Sequence, residues 1–171
     1  IYYLSAKWQA FPQDFVTIAK GLPFPTLKRR SWFYHEDGRE FSLREYAQVQ
    51  TFPDTFKFVG TYENIKDQIG NAVAPDMASF VGKRLQGKTF GDIFAGCGGL
   101  SFGLERIGKQ CVWALEREIR YVRTLAINHP NTKVYVDDIK GFDPSRLEKV
   151  DIIVGGPPCQ GFSLAGNWFK D

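Results

Sequence analysis

Lys88-Thr-Phe-Gly-Asp-Ile-Phe-Ala-Gly-Cys-Gly-Gly-Leu-Ser-Phe-Gly-Leu-Glu-Arg-Ile107 carries three local signals in order. Lys88 to Phe94 reads as a strand. Ala95 to Gly99 is a glycine-rich turn. Leu100, Gly103, Leu104 and Ile107 recur at i, i+3, i+4 and i+7, the stripe of an amphipathic helix. Such a unit aims unpaired backbone N–H groups at a ligand, and glycine lets the backbone approach it. On its own the signal is shared by nucleotide-binding folds of many kinds.

The alternation continues downstream. Cys111 to Leu115 reads as a second strand and ends at Glu116. An acidic residue about 20 positions past the glycine turn, at a strand end, is placed to accept hydrogen bonds from ribose hydroxyls. Ile119 to His129 reads as a helix presenting Ile119, Val122, Leu125 and Ala126 to the sheet, and it must end by Pro130. Lys133 to Val136 is a third strand and Ile152 to Val154 a fourth. Strands alternating with helices predict an α/β fold with a mostly parallel, doubly wound sheet.

The fourth strand leads into the chemistry. In Val150-Asp-Ile-Ile-Val-Gly-Gly-Pro-Pro-Cys-Gln-Gly-Phe-Ser163, Gly155 and Gly156 end the apolar run. Pro157 and Pro158 then fix φ for two residues, so the chain leaves the sheet along a stiff path. Cys159 follows at the strand's carboxyl end, where ligands bind in open α/β sheets. A lone cysteine is ordinarily a small buried hydrophobe. The Gly-Gly-Pro-Pro frame before Cys159, and Gln160-Gly-Phe-Ser after it, favour an exposed nucleophile instead.

Net charge is +3, from 22 basic and 19 acidic residues, which permits a nucleic-acid partner without demanding one. The 171 residues suffice for one domain with a modest core. Cys97, Cys111 and Cys159 lie far apart with no C-x-x-C pair, which argues against a zinc site and a disulfide framework. Three free thiols suit a reducing compartment. No apolar run approaches the roughly 18 residues of a membrane span. The chain opens on Ile1 and closes on Asp171, and both ends read as cut or as one piece of a larger assembly.

The first 30 residues carry the weakest signals. Phe15 to Ile18 suggests a strand, and Lys28-Arg-Arg30 is either a phosphate contact or a solvated edge. Trp32 to Arg39 reads as a strand entering a turn at Asp37-Gly38. Ser42-Leu-Arg-Glu45 is a capping box that opens a helix, with Leu43, Tyr46, Ala47 and Gln50 on one face and a stop near Phe52-Pro53. Gly70 suits a helix C-cap. Pro75 suits the first turn of a new helix running through Met77, Phe80, Val81 and Leu85 to Gly87.

These motifs carry a resemblance. Gly155 to Ser163 resembles the catalytic motif of the DNA cytosine methyltransferases that act on carbon 5. Asp92-x-Phe-Ala-Gly-x-Gly-Gly resembles the family's first motif, Ser42 to Asp54 its ninth, with Gln48 where the family usually has arginine, and Gln68 to Pro75 its tenth. The resemblance implies the sheet of the S-adenosylmethionine-dependent methyltransferases, Rossmann-like, with strand order 3-2-1-4 and incomplete in this chain. It implies S-adenosylmethionine as cofactor, over strands 1 and 2. Lining would come from Phe94, Ala95, Gly96, Cys97, Gly98, Gly99 and Leu100, from Glu116 and Arg117, from Asp138 and Ile139 at the adenine, and from Asn71, Ala72, Val73 and Pro158. Cys159 would be the nucleophile, with Pro158 and Gln160 beside it; no metal is implied, and double-stranded DNA would be the substrate.

In the family's usual arrangement the ninth and tenth motifs come last. Here they precede the first, which implies a circular permutation and three segments: 1–41, a tail of the target-recognition region with supporting strands; 42–87, the permuted helices; and 88–171, the cofactor and catalytic part. The family's Glu-Asn-Val and Gln-x-Arg-x-Arg motifs do not occur in the sequence, nor does most of a DNA-reading region. A second polypeptide or a further segment is therefore expected to supply them. A non-catalytic regulator that binds cofactor or DNA, and a tRNA cytosine methyltransferase, are the rival readings. A Cys–His hydrolase is disfavoured, because neither His35 nor His129 stands near Cys159 in the sequence.

Overall fold

The computed structural model describes residues 15–18, 24–25 and 32–157. Pro158, Cys159 and Gln160 lie outside the described residues, as do Lys28 to Arg30. Two short strands, β1 (Phe15–Thr17) and β2 (Trp32–Tyr34), pair in parallel. Three helices follow: α1 (Leu43–Val49), α2 (Tyr62–Asn71) and α3 (Pro75–Gly82). Then come β3 (Thr89–Ile93), α4 (Gly99–Glu105), β4 (Gln110–Glu116), α5 (Ile119–Asn128), β5 (Lys133–Val136), a 3₁₀ turn at Pro144–Arg146 and β6 (Ile152–Gly155). The larger sheet is all-parallel with order β5-β4-β3-β6, the expected 3-2-1-4 arrangement.

Local chemistry sets each boundary. Ser42 caps α1 as the capping box requires: its side chain accepts from Glu45 N, and the Glu45 carboxylate accepts from Ser42 N. Arg39 donates to both Glu45 carboxylate oxygens at 2.9 Å, and with Ser42 it holds that carboxyl well below the usual range. Gln48 Nε2 donates to Asp54 Oδ1 at 3.0 Å, so an uncharged amide makes the hydrogen bond where an arginine would make an ion pair. The α3 N-terminus has no capping side chain of its own; Thr51 Oγ1, held at φ 65°, accepts from Asp76 N at 3.0 Å. Asp151 joins the starts of β3 and β6 by accepting from Lys88 N, Thr89 N and Thr89 Oγ1.

Two faces differ from the expected ones. Met77, Phe80, Val81 and Leu85 are exposed, and α3 stops at Gly82; its buried residues are Pro75, Ala78 and Gly82. The cause is the closeness of α4. A Cβ at Gly103 would strike the Pro75 carbonyl oxygen, and one at Gly82 would strike Leu104, so small residues must face inward. In α5, Ile119 is 61% exposed and Ala126 is exposed, while Tyr121, Thr124 and Leu125 are buried. The helix is rotated because a second element packs on it. Thr124 Oγ1 accepts from Val59 N, and the Asn128 amide both accepts from Lys57 N and donates to Lys57 O. Gly70 is also not the cap of α2. The helix runs on to Asn71, and Ala72 closes it in an extended conformation.

Four hydrophobic clusters hold the layers together. One is aromatic, with Phe33, Phe41, Tyr46, Phe52 and Phe56 packed with Ile69 and Cys97. Phe56 meets Phe102 of α4 edge-on at 5.2 Å, so the helices preceding β3 share a core with the glycine turn. The second lies on the opposite face of the sheet around Trp113, Leu115, Tyr135 and Phe142. Lys66 is buried with its Nζ 3.1 Å from the Trp32 ring centre, and burial lowers its pKa to about 8.

Candidate cofactor and catalytic site

The site is built where β3 ends. Phe94 leaves the strand at φ 59°, a left-handed conformation that costs of order 1–3 kcal/mol for a non-glycine residue. That turn starts the loop Ala95 to Gly98. Gly96 (φ 57°) and Gly98 (φ 94°) keep the backbone left-handed as it enters α4. A Cβ at Gly98 would strike the His129 ring, so that position is closed on its inner side. A Cβ at Gly96 would meet nothing within 4 Å, so that stretch of backbone is open to a ligand.

Glu116 fastens the loop from below. Its carboxylate accepts from Gly96 N at 2.7 Å and from Glu118 N at 2.8 Å. It thus ties the glycine turn to the start of α5, and each oxygen retains a second lone pair for a ribose hydroxyl. Beneath the loop, Asp92 is fully buried, accepts from Ser101 Oγ at 2.6 Å and has an unpartnered Oδ1. Burial pushes its carboxyl up to about 7. His129 is buried too, its Nδ1 2.8 Å from Glu105 Oε2.

A cavity opens beside the loop. Its lining includes Asn71, Ala72 and Val73 on one wall and Phe94 to Cys97, Gly99 and Leu100 on the other. These are sequence-named residues brought together from two distant segments. Gln68, Tyr121 and Gly156 also line it and are not among the lining residues expected from the sequence. Tyr121 sits at a helix position that periodicity assigns no distinct role. Gly156 adjoins Val73, whose Cγ2 would stand 3.5 Å from a Cβ placed there. Gly98 lies behind the loop. Arg117, Asp138 and Ile139 stand apart at the ends of β4 and β5, where Arg117 Nη1 donates to Asp138 Oδ2 at 3.3 Å. Backbone donation from Lys140, with Arg117 beside it, lowers the Asp138 pKa.

The thiols divide by environment. Cys97 is 2% exposed and Cys111 1%, and burial pushes both up to about 12. A thiol so protonated is a poor nucleophile. Among the described residues no group of histidine, cysteine and carboxylate side chains could hold a metal ion, and no helix is long and apolar enough to cross a membrane.

A parallel sheet in this order, with a glycine turn after its first strand and an acidic residue ending its second, defines an S-adenosylmethionine-dependent methyltransferase fold. The family model for C-5 cytosine-specific DNA methylases matches residues 23–87 and 88–171, and the chain belongs to that family. The type II methyltransferase M.DdeI of Desulfomicrobium norvegicum is 46% identical over 80 residues, covering 44% of this chain and 19% of that protein. M.Sau96I of Staphylococcus aureus is 43% identical over 86 residues, covering 47% and 20%. DNA (cytosine-5)-methyltransferase 3 of Arabidopsis thaliana is 34% identical over 130 aligned positions, covering 47% and 9%. The chain thus spans about a fifth of the length of these bacterial relatives. Among solved structures, a Pyrococcus abyssi tRNA (uracil-54, C5)-methyltransferase with S-adenosyl-L-homocysteine is 16% identical with a TM-score of 0.40, covering 66% of this chain and 26% of that one. S-adenosylmethionine is the cofactor of this fold and family, and the open Gly96 backbone above the Glu116 carboxylate suits its nucleoside.

Proposed function

We propose that this chain is the cofactor-binding and nucleophile-bearing part of a DNA cytosine carbon-5 methyltransferase. The observation that carries the reading is the convergence of Asn71 to Val73 with Phe94 to Cys97, Gly99 and Leu100 around one cavity at the carboxyl ends of β3 and β6. The two family segments meet between residues 87 and 88, which supports a permuted order in which the tenth-motif helix leads directly into β3. β6 delivers the chain at Gly156-Pro157 to the cavity's edge, two residues short of Cys159.

Cytosine carbon 5 is a poor nucleophile. Addition of the Cys159 thiolate to carbon 6 makes an enamine-like ring whose carbon 5 is electron-rich. Bound S-adenosylmethionine supplies an electrophilic methyl group. Once carbon 5 is methylated, loss of its proton and expulsion of the sulfur restore the aromatic ring and free Cys159. The base must leave the duplex to meet a thiol in a pocket. Protonation at N3 needs an acid, and the Glu-Asn-Val motif that would supply it does not occur in this sequence, so a further segment or a second polypeptide is assigned that motif and the DNA-reading region.

The test uses DNA carrying 5-fluorocytosine, the complementing polypeptide and cofactor. Fluorine cannot leave carbon 5 as a proton does, so the pathway stalls with sulfur bonded to carbon 6. A covalent adduct mapping to Cys159, lost in Cys159→Ser and kept in Cys97→Ala and Cys111→Ala, is the expected result. An adduct that survives Cys159→Ser overturns the assignment.

A further inference from the structure

Tyr121 lies in the first half of α5, is 9% exposed and forms part of the cavity wall. Its hydroxyl accepts from Asn71 Nδ2 at 3.3 Å, a bond between residues 50 positions apart. Its ring is steadied by Arg120, whose guanidinium carbon is 5.3 Å from the ring centre. Asn71 is the last residue of α2, so its side chain would otherwise be free to turn over. An amide presents a donor at one end and an acceptor at the other. With Nδ2 turned to Tyr121, the end left for a ligand is the acceptor Oδ1.

The sheet order says what meets that acceptor. Asp138 and Ile139 follow β5, and Glu116 ends β4. Val73 stands at the β3–β6 side, where it adjoins Gly156, and Asn71, two residues before it, faces Tyr121 of α5 across the cavity. A ligand with adenine over β5 and ribose over β4 brings its amino-acid end to the Asn71 wall. We infer that Tyr121 is a positioning residue for the amino-acid end of the cofactor, holding the Asn71 amide so that Oδ1 accepts from the ligand's α-ammonium group. The inference rests on the proposed cofactor site and adds a residue and a division of labour to it.

Two ligands separate the roles: S-adenosylhomocysteine, and 5′-methylthioadenosine, which keeps the nucleoside and sulfur but has no amino-acid part. Calorimetry on the folded chain with Tyr121→Phe should show S-adenosylhomocysteine weakened roughly 3–10-fold, the range of one lost hydrogen bond. Binding of 5′-methylthioadenosine should be unchanged, which also reports an intact fold. Asn71→Ala should show the same selectivity, and adding Tyr121→Phe to it should change little more. Equal weakening of both ligands, or no weakening of either, overturns the positioning role. Failure of the unaltered folded chain to bind either ligand overturns the cofactor site itself.

Discussion

Asp92 is the residue on which the glycine turn's burial falls most heavily. Its carboxyl is enclosed, has one partner in Ser101, and is pushed up to about 7 by burial, with the nearby Glu116 adding to the rise and His129 opposing it. A carboxyl that binds its proton more tightly when folded stabilises the fold at low pH, and the benefit is lost as pH rises through the folded pKa. The chain should therefore lose stability between about pH 4 and about pH 7, by at most about 4 kcal/mol at about 1.4 kcal/mol per pH unit. In Asp92→Asn that slope should flatten, and denaturant unfolding at pH 4 and pH 8 reads the difference. An unchanged slope would place the titration elsewhere. Gly103 is a second such residue. A Cβ there meets the Pro75 carbonyl and Ala78, so Gly103→Ala should cost about 1–3 kcal/mol by overpacking and lower the urea midpoint.

Elements were legible in the sequence where the backbone itself sets the answer. The Ser42 capping box, Pro75 at a helix start and β5 at Lys133–Val136 follow from local rules and stand in the structure, and the glycine turn read at Ala95 to Gly99 stands one residue earlier, with Phe94 already out of β3 and Gly99 opening α4. Helix faces were less legible, because a face is chosen by what packs on it. Periodicity put Ile119 and Ala126 of α5 against the sheet. The segment at Lys57 to Val59, which has no regular structure, instead takes Thr124 and Asn128 as its hydrogen-bond partners. Tyr121 was missed for the same reason, since its partner Asn71 is 50 residues away. Thr124→Val keeps the volume and removes the acceptor for Val59 N. It should cost about 1–3 kcal/mol, the desolvation of an unpaired buried donor. Equilibrium unfolding measures the loss, and no change would mean that Val59 N finds another acceptor.

At the scale of the molecule, one side of the sheet is open among the described residues. β6 ends the sheet order, and its Ile153 is 64% exposed although parallel strands are normally covered on both faces. Met77 and Phe80, each 59% exposed, with Val81 at 49%, lie on α3, and the segments that flank this helix reach the two ends of β6, Val73 beside Gly156 and Gly87 beside Asp151. Among the described residues that strand edge has no partner, and the edge and the apolar α3 surface are what a further strand and a covering helix would bury. On the proposed reading, that occupant is the segment carrying the Glu-Asn-Val motif. Phe80→Glu combined with Ile153→Lys changes no residue of the cavity lining, and both positions are exposed, Phe80 with the exposed Arg84 over its ring. The doubly substituted chain should therefore unfold at the same denaturant concentration, within about 0.5 kcal/mol, and bind S-adenosylhomocysteine as before. Complementation is where it should fail: methyl transfer to cytosine on adding the missing polypeptide should fall at least tenfold, because two unpaired charges would have to be buried at the joint. Full activity of the doubly substituted chain would show that the missing segment docks elsewhere. Activity of the unaltered chain with no addition would show that the acid at N3 lies within these 171 residues.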